Sequence, residues 1–170
     1  MKKYLIHSII QIKKFDKITF NIDKPLVICD IDNTLLTSKK VEFNCFHKII
    51  SNCFFLDNRI IKDTDIKGFK NLEKKVMDLN GKIIFLTSRN TTSDDNIINK
   101  DFKKIGLDST KYEIHYTANK ISKGKYVNNY INTKLFNQII FIDDLYNNHL
   151  SMFSYFPNGK YYLFCYDNFI

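Results

Sequence analysis

Two carboxylates, Asp30 and Asp32, close an apolar run in LVICDIDNTLL, the stretch from Leu26 to Leu36. An acid set against a core is costly unless it is ion-paired, hydrogen-bonded or bound to a cation, so this pair asks for a partner. Residues able to answer recur after later apolar runs. Thr87, Ser88 and Arg89 follow KIIFL, Lys123 and Gly124 come shortly after YEIHYT, and Asp143 and Asp144 close QIIFIDD, with Asn148 a helical turn further on. Singly, each has a plain structural role: a DxD turn, a threonine helix cap, an acid opening a loop, one lysine among many. Together they offer carboxylates for a cation or for proton transfer, hydroxyls for hydrogen bonding and an ammonium for an anion.

The elements that must hold these residues follow from apolar pattern. PLVICDI from Pro25, KIIFLT from Lys82, YEIHYT from Tyr112, QIIFID from Gln138 and KYYLFCY from Lys160 have strand length and β-branched or aromatic content. Helical spacing separates them. Phe69, Leu72, Val76 and Leu79 share one face of Ile66 to Leu79, which Asn80-Gly81 stops; Asp94 to Ile105 ends at Gly106; Lys123 to Ile131 and Leu145 to Phe156 supply two more helices. This alternation predicts an α/β fold with a doubly wound (Rossmann-like), mostly parallel sheet and helices on both faces. Ligands of such sheets bind at the carboxyl ends of the strands, where all the residues above would lie. The segment from Ser38 to Lys62, with Phe43, Phe46, Ile49, Ile50, Phe54 and Phe55, reads as a small helical insertion after the first catalytic strand. The residues before Asp23 are a further helix or strand, and the pattern does not choose between them.

At 170 residues the chain fits one domain, residues 1–170, with 44% hydrophobic and 26% charged residues as in folded proteins. The net charge of +8 invites an acidic partner. It is nearly all lysine, however, with Arg59 and Arg89 the only arginines, and the abundant Lys, Asn, Ile, Tyr and Phe share AT-rich codons. A solvated lysine surface is the simpler reading than a nucleic-acid face. Cys29, Cys45, Cys53 and Cys165 have neither CxxC nor zinc spacing and read as reduced thiols. MKKYLIHSIIQIKK lacks the features of a cleaved leader, and no run has membrane-span length, so the expectation is a cytoplasmic protein with no membrane partner.

The order DxDxT, Thr/Ser, Lys, Asp-Asp resembles the haloacid dehalogenase (HAD) superfamily of phosphohydrolases, over Leu26 to about Leu150. DIDNTLL, FLTSR, KG and IDDLYNN stand in the places of its four motifs. Receiver domains of bacterial signalling combine similar residues, but there the acid pair comes first without DxDxT spacing and the lysine comes last. The resemblance implies Mg2+ as cofactor among Asp30, Asp32 and Asp143, a hard cation for oxygen ligands that would otherwise repel. It implies Asp30 as nucleophile, forming an aspartyl-phosphate, and Asp32 as the acid–base group that also binds metal through its carbonyl. Thr87 and Ser88 would hold the phosphoryl group, Lys123 would neutralise it, Asp143 would be the direct ligand, and Asp144 and Asn148 would hold metal waters or the lysine.

An acid at Asp32 is what the phosphatases and mutases of that superfamily have and the dehalogenases lack, so a phosphomonoesterase is expected, acting on a small-molecule or macromolecular phosphate. The insertion, about twenty-five residues at 38–62, is too small for a cap domain, which implies an open site. Alternatives are a nucleic-acid end phosphatase and a catalytically weak binding or regulatory protein. Arg89 is either a cation for a second anionic group of the substrate or a side chain paired with a helix acid.

Overall fold

The computed structural model describes residues 9–40 and 59–166. Its eight strands are β1 (Ile9–Ile12), β2 (Pro25–Cys29), β3 (Leu36–Lys40), β4 (Arg59–Asp63), β5 (Lys82–Thr87), β6 (Glu113–Tyr116), β7 (Gln138–Asp143) and β8 (Lys160–Phe164); its helices are α1 (Ile66–Asp78), α2 (Thr91–Lys104), α3 (Lys123–Tyr130) and α4 (Tyr146–Tyr155). Six strands form one sheet in the order β1-β8-β7-β2-β5-β6, every pair parallel. A central parallel strand is covered on both faces and must be apolar throughout, and all five residues of β2 are buried. From β2 the chain steps outward through β5 and β6, then crosses back to β7 and β8. The strands β2 and β7 are therefore neighbours in space but not in sequence, which places the switch point, the crevice where such sheets take ligands, at their carboxyl ends.

Side chains alternate between the faces of a strand, and the alternation sorts β2 into two cores. Val27 and Cys29 join Phe85, Ile140 and Ile142 with Phe69 and Val76 of α1 and Ile98 and Phe102 of α2. Leu26 and Ile28 join Ile84, Leu86 and Phe141 with Val127 of α3 and Met152 of α4. The same parity carries Asp30 and Asp143, one step beyond Ile28 and Phe141 on their faces, towards α3 and α4. The first residue of α3 is Lys123.

Of the residues before Asp23, Ile9–Ile12 form a strand, with β1 paired to β8 at the sheet edge and Ile10 opposite Tyr162, Phe15–Lys17 form a short 3-10 turn, and residues 1–8 lie outside the described residues. The helix α2 starts at Thr91, three residues ahead of the expected Asp94, with the extended backbone of Asn90 before it. It ends as expected at Gly106, whose φ of +75° suits glycine. The expected helical insertion is corrected at both ends. Leu36–Lys40 and Arg59–Asp63 pair antiparallel, Ser38 opposite Ile61, so the segment enters and leaves as a β-ribbon; Thr37, Ile60 and Ile61 are β-branched and favour strand over helix. Residues 41–58, which carry the phenylalanines of that segment, lie outside the described residues. Among the described residues no helix is long and apolar enough to cross a membrane.

Candidate functional site

The loop after β2 builds the site's floor. The Asp30 N–H continues the sheet ladder, donating to the Ile142 carbonyl at 2.9 Å. The chain then folds back in a tight turn: Leu35 and Leu36 N–H groups both donate to the Ile31 carbonyl, and Asn33 sits in the left-handed region at φ 59°. Asparagine adopts that conformation more readily than most residues, and its side chain hydrogen-bonds Asp144. Thr64, just beyond β4, ties the ribbon down by donating its backbone N–H and its hydroxyl to the Leu35 carbonyl, each at 3.1 Å.

Lys123 is the centre of the arrangement. Its Nζ donates to Asp30 Oδ1 and, at 2.7 Å, to Asp143 Oδ2, and all three side chains are more than nine-tenths buried. Burial opposes its charge, but the two carboxylates outweigh that and raise its pKa. Asn148 Nδ2 donates to both oxygens of Asp143 at 2.9 and 3.0 Å, and the Leu145 N–H donates to Oδ1 at 2.8 Å. Asp143 is thus satisfied by protein donors on both oxygens. Among the described residues the only side chain hydrogen-bonded to Asp30 is Lys123, on Oδ1, which leaves Oδ2 uncommitted.

Oxygen atoms of Asp30, Asp143 and Asp144 lie within 4.8 Å of one another. One ammonium does not balance three acids in so small a volume. Burial pushes Asp30 up to about 7 against the pull of Lys123, with Asp143 adding to the rise, and burial followed by the Asp143 charge takes Asp144 up to about 6. A divalent cation would remove that excess. The donors are all hard oxygens, the ligand type that a divalent cation such as Mg2+ takes. The carboxylate set includes Asp144, which the sequence placed behind Asp143 as a holder of waters.

Asp32 points elsewhere. Arg89 grips it as a fork, Nε to Oδ2 at 2.9 Å and Nη2 to Oδ1 at 2.6 Å, and holds Asp101 of α2 through Nη1 at 3.1 Å. Asp101 is wholly buried while Asp32 is 41% exposed, so the arginine is anchored from inside and holds the acid at the surface. Burial disfavours the Arg89 charge, yet the two acids more than offset it and its pKa is raised. Of the two roles open to Arg89, pairing with a helix acid is present, and Asp32 is paired as well. Arg89 is one of only two arginines in the chain, and a planar fork is what bidentate pairing with a carboxylate requires.

Thr87 is buried at the end of β5, on the face opposite to Asp30 by strand alternation. Its hydroxyl accepts the Arg89 N–H at 3.2 Å, its carbonyl accepts the Thr117 N–H at 2.9 Å, and no hydrogen bond joins it to Asp30 or Lys123 among the described residues. Ser88 shares a polar cavity with Lys123 and Asn148. The structure thus brings Asp30, Lys123, Asp143, Asp144 and Asn148 directly together, with Ser88 beside them and with Asp32 and Thr87 linked through Arg89. Asn33, Asp101 and Thr117 were not singled out from sequence. A signal existed for Asn33, an asparagine in the turn after the acids; Asp101 lies mid-helix and had none.

A scan of the chain against protein-family models finds no match, and a search of curated proteins finds none either.

Proposed function

We propose that the protein is a Mg2+-dependent phosphomonoesterase that works through an aspartyl-phosphate on Asp30. The observation that carries this reading is the buried Lys123 bridging Asp30 and Asp143 at the switch point of a parallel sheet, with Asp144 completing a carboxylate set. Asp144 would offer the freer oxygens to the cation, Asp30 would join through Oδ1, the oxygen that Lys123 already holds, and Asp143 would yield one of its present hydrogen bonds. Bound there, Mg2+ would screen the carboxylates from one another and neutralise phosphoryl charge.

Lys123 orients Asp30 through Oδ1, so Oδ2 is the oxygen aimed at phosphorus. Attack forms the Oδ2–P bond as the ester P–O bond breaks, and the leaving oxygen takes a proton from Asp32. Water then attacks phosphorus, gives its proton to Asp32 and releases Asp30 and phosphate. For the first proton transfer the fork of Arg89 on Asp32 must open.

The test is hydrolysis of 4-nitrophenyl phosphate by the purified protein. Turnover that requires Mg2+, stops with EDTA and is lost in Asp30→Asn supports the reading; activity indifferent to both treatments would overturn it. One observation favours the second reading, a regulatory protein of low turnover: the acid–base group is held by Arg89. A single stoichiometric release of nitrophenol without further turnover would select it.

A further inference from the structure

Beside Lys123 and Asn148 opens a cavity of about 240 Å3 with no acidic residue in its wall, lined by Thr117 and Ile121 and by four further polar side chains, Ser88, Asn119, Lys120 and Ser122. Lys123 and Asn148 are committed to Asp30 and Asp143. The side chains of the other four are uncommitted among the described residues, and Ser122 stands at the N-cap of α3 without capping it. Lys120 is therefore the one uncommitted charge in the wall, on the open side of a site whose phosphoryl position is already served by Lys123.

The backbone that carries Lys120 is fixed. Ala118 and Asn119 are both left-handed, at φ 51° and 55°, and the Lys120 N–H donates to the Thr117 carbonyl at 2.9 Å, closing a turn of the type I′ kind. Alanine rarely adopts that conformation, and surroundings must over-determine it. Here Thr117 does so by hanging the turn on the Thr87 carbonyl through its N–H, with its hydroxyl at 3.4 Å. A strained turn tied to the end of β5 thus holds an uncommitted cation, an amide and a hydroxyl at the cavity mouth.

Resting on the phosphatase reading, we infer that this cavity takes the body of a small phosphomonoester carrying a second anionic group, which Lys120 meets. Small follows from volume, since drug-sized pockets start at about 300 Å3. Polar and anionic follow from a wall of hydroxyls, amides and cations that has one apolar member, Ile121, and no acid. Lys120 is then a specificity-determining residue.

The test is calorimetric, in buffer with Mg2+, using two phosphonates that cannot be hydrolysed: phosphonoacetate, with a second anion, and methylphosphonate, without one. Wild type should prefer phosphonoacetate. In Lys120→Ala the preference ratio should fall about tenfold, the size of one charge-assisted hydrogen bond, and Lys120→Arg should restore most of it. A ratio unmoved by Lys120→Ala would overturn the inference, as would a wild type that binds neither phosphonate or that holds a 5′-phosphorylated trinucleotide in preference to phosphonoacetate. Hydrolysis decides the phosphatase reading separately. A Lys120-dependent ratio in a protein that hydrolyses no phosphomonoester would remove that reading and leave the cavity assigned as an anion-binding site.

Discussion

Arg89 binds two acids of opposite exposure, and its energetics differ from those of a surface pair. Removing one partner of a buried ion pair leaves a desolvated charge behind, at a cost of about 3–5 kcal/mol. Arg89→Met would take from Asp101, which is 0% exposed, its guanidinium partner, so it should lower stability by up to about that amount in urea titration. The pair between Lys82 and Glu113 is about half exposed on both sides, and Lys82→Met should cost no more than about 1 kcal/mol. Equal losses in the two variants would show that Asp101 has another adequate partner. At the site itself, Asp32→Asn should slow turnover by about 10² to 10⁴, with the smaller loss for aryl phosphates whose leaving groups need no proton. Uniform loss across leaving groups would confine Asp32 to activating water.

Helix packing decides whether Lys123 arrives at all. Gly124, next to it in the first turn of α3, faces α4 so closely that a Cβ would lie 2.1 Å from the Ser151 carbonyl oxygen, and its N–H donates to Ser151 Oγ at 3.0 Å. No side chain fits between these two helices without moving one of them. Overpacking of this kind typically costs about 1–3 kcal/mol, and here the displaced helix carries the ammonium that bridges Asp30 and Asp143. Gly124→Ala should therefore lose both stability and phosphatase activity. If the variant keeps wild-type kcat with a lowered melting temperature, the position of α3 matters to packing alone.

For the whole molecule the acid cluster ties stability to pH and cation. Asp30 and Asp144 have folded pKa values near 7 and 6, above the ordinary 3.8. Between 3.8 and about 7 the folded protein retains protons that the unfolded chain has released, so stability falls as pH rises through this window. Lys123, raised above its ordinary 10.5, stays charged throughout. Metal-free protein should thus melt at lower temperature near pH 7.5 than near pH 5. Mg2+ at a hundred times its Kd should add about 2.7 kcal/mol, or about 5 to 11 °C for a chain of this size, and more at the higher pH because it competes with protons. Identical melting curves with and without Mg2+ would remove the cation site.

The apolar runs KIIFLT and QIIFID are β5 and β7 residue for residue, because a buried parallel strand has no choice but to be apolar. Acids placed directly after such runs fall at the carboxyl edge of the sheet, where sheets of this kind take ligands. Strand alternation, a local property, already sends Asp30 and Asp143 to a common face. What local pattern cannot contain is which strands lie side by side. The neighbours β2 and β7 are separated by more than a hundred residues of chain, which include four other strands, and β1 joins the far edge only because β8 has an open side. The choice of partner for each charge belongs to the same level. Whether Arg89 meets substrate or Asp32, and whether Thr87 faces Lys123 or its own loop, turns on a few ångströms between segments distant in the chain, and hydrogen bonds discriminate at that range while residue spacing does not.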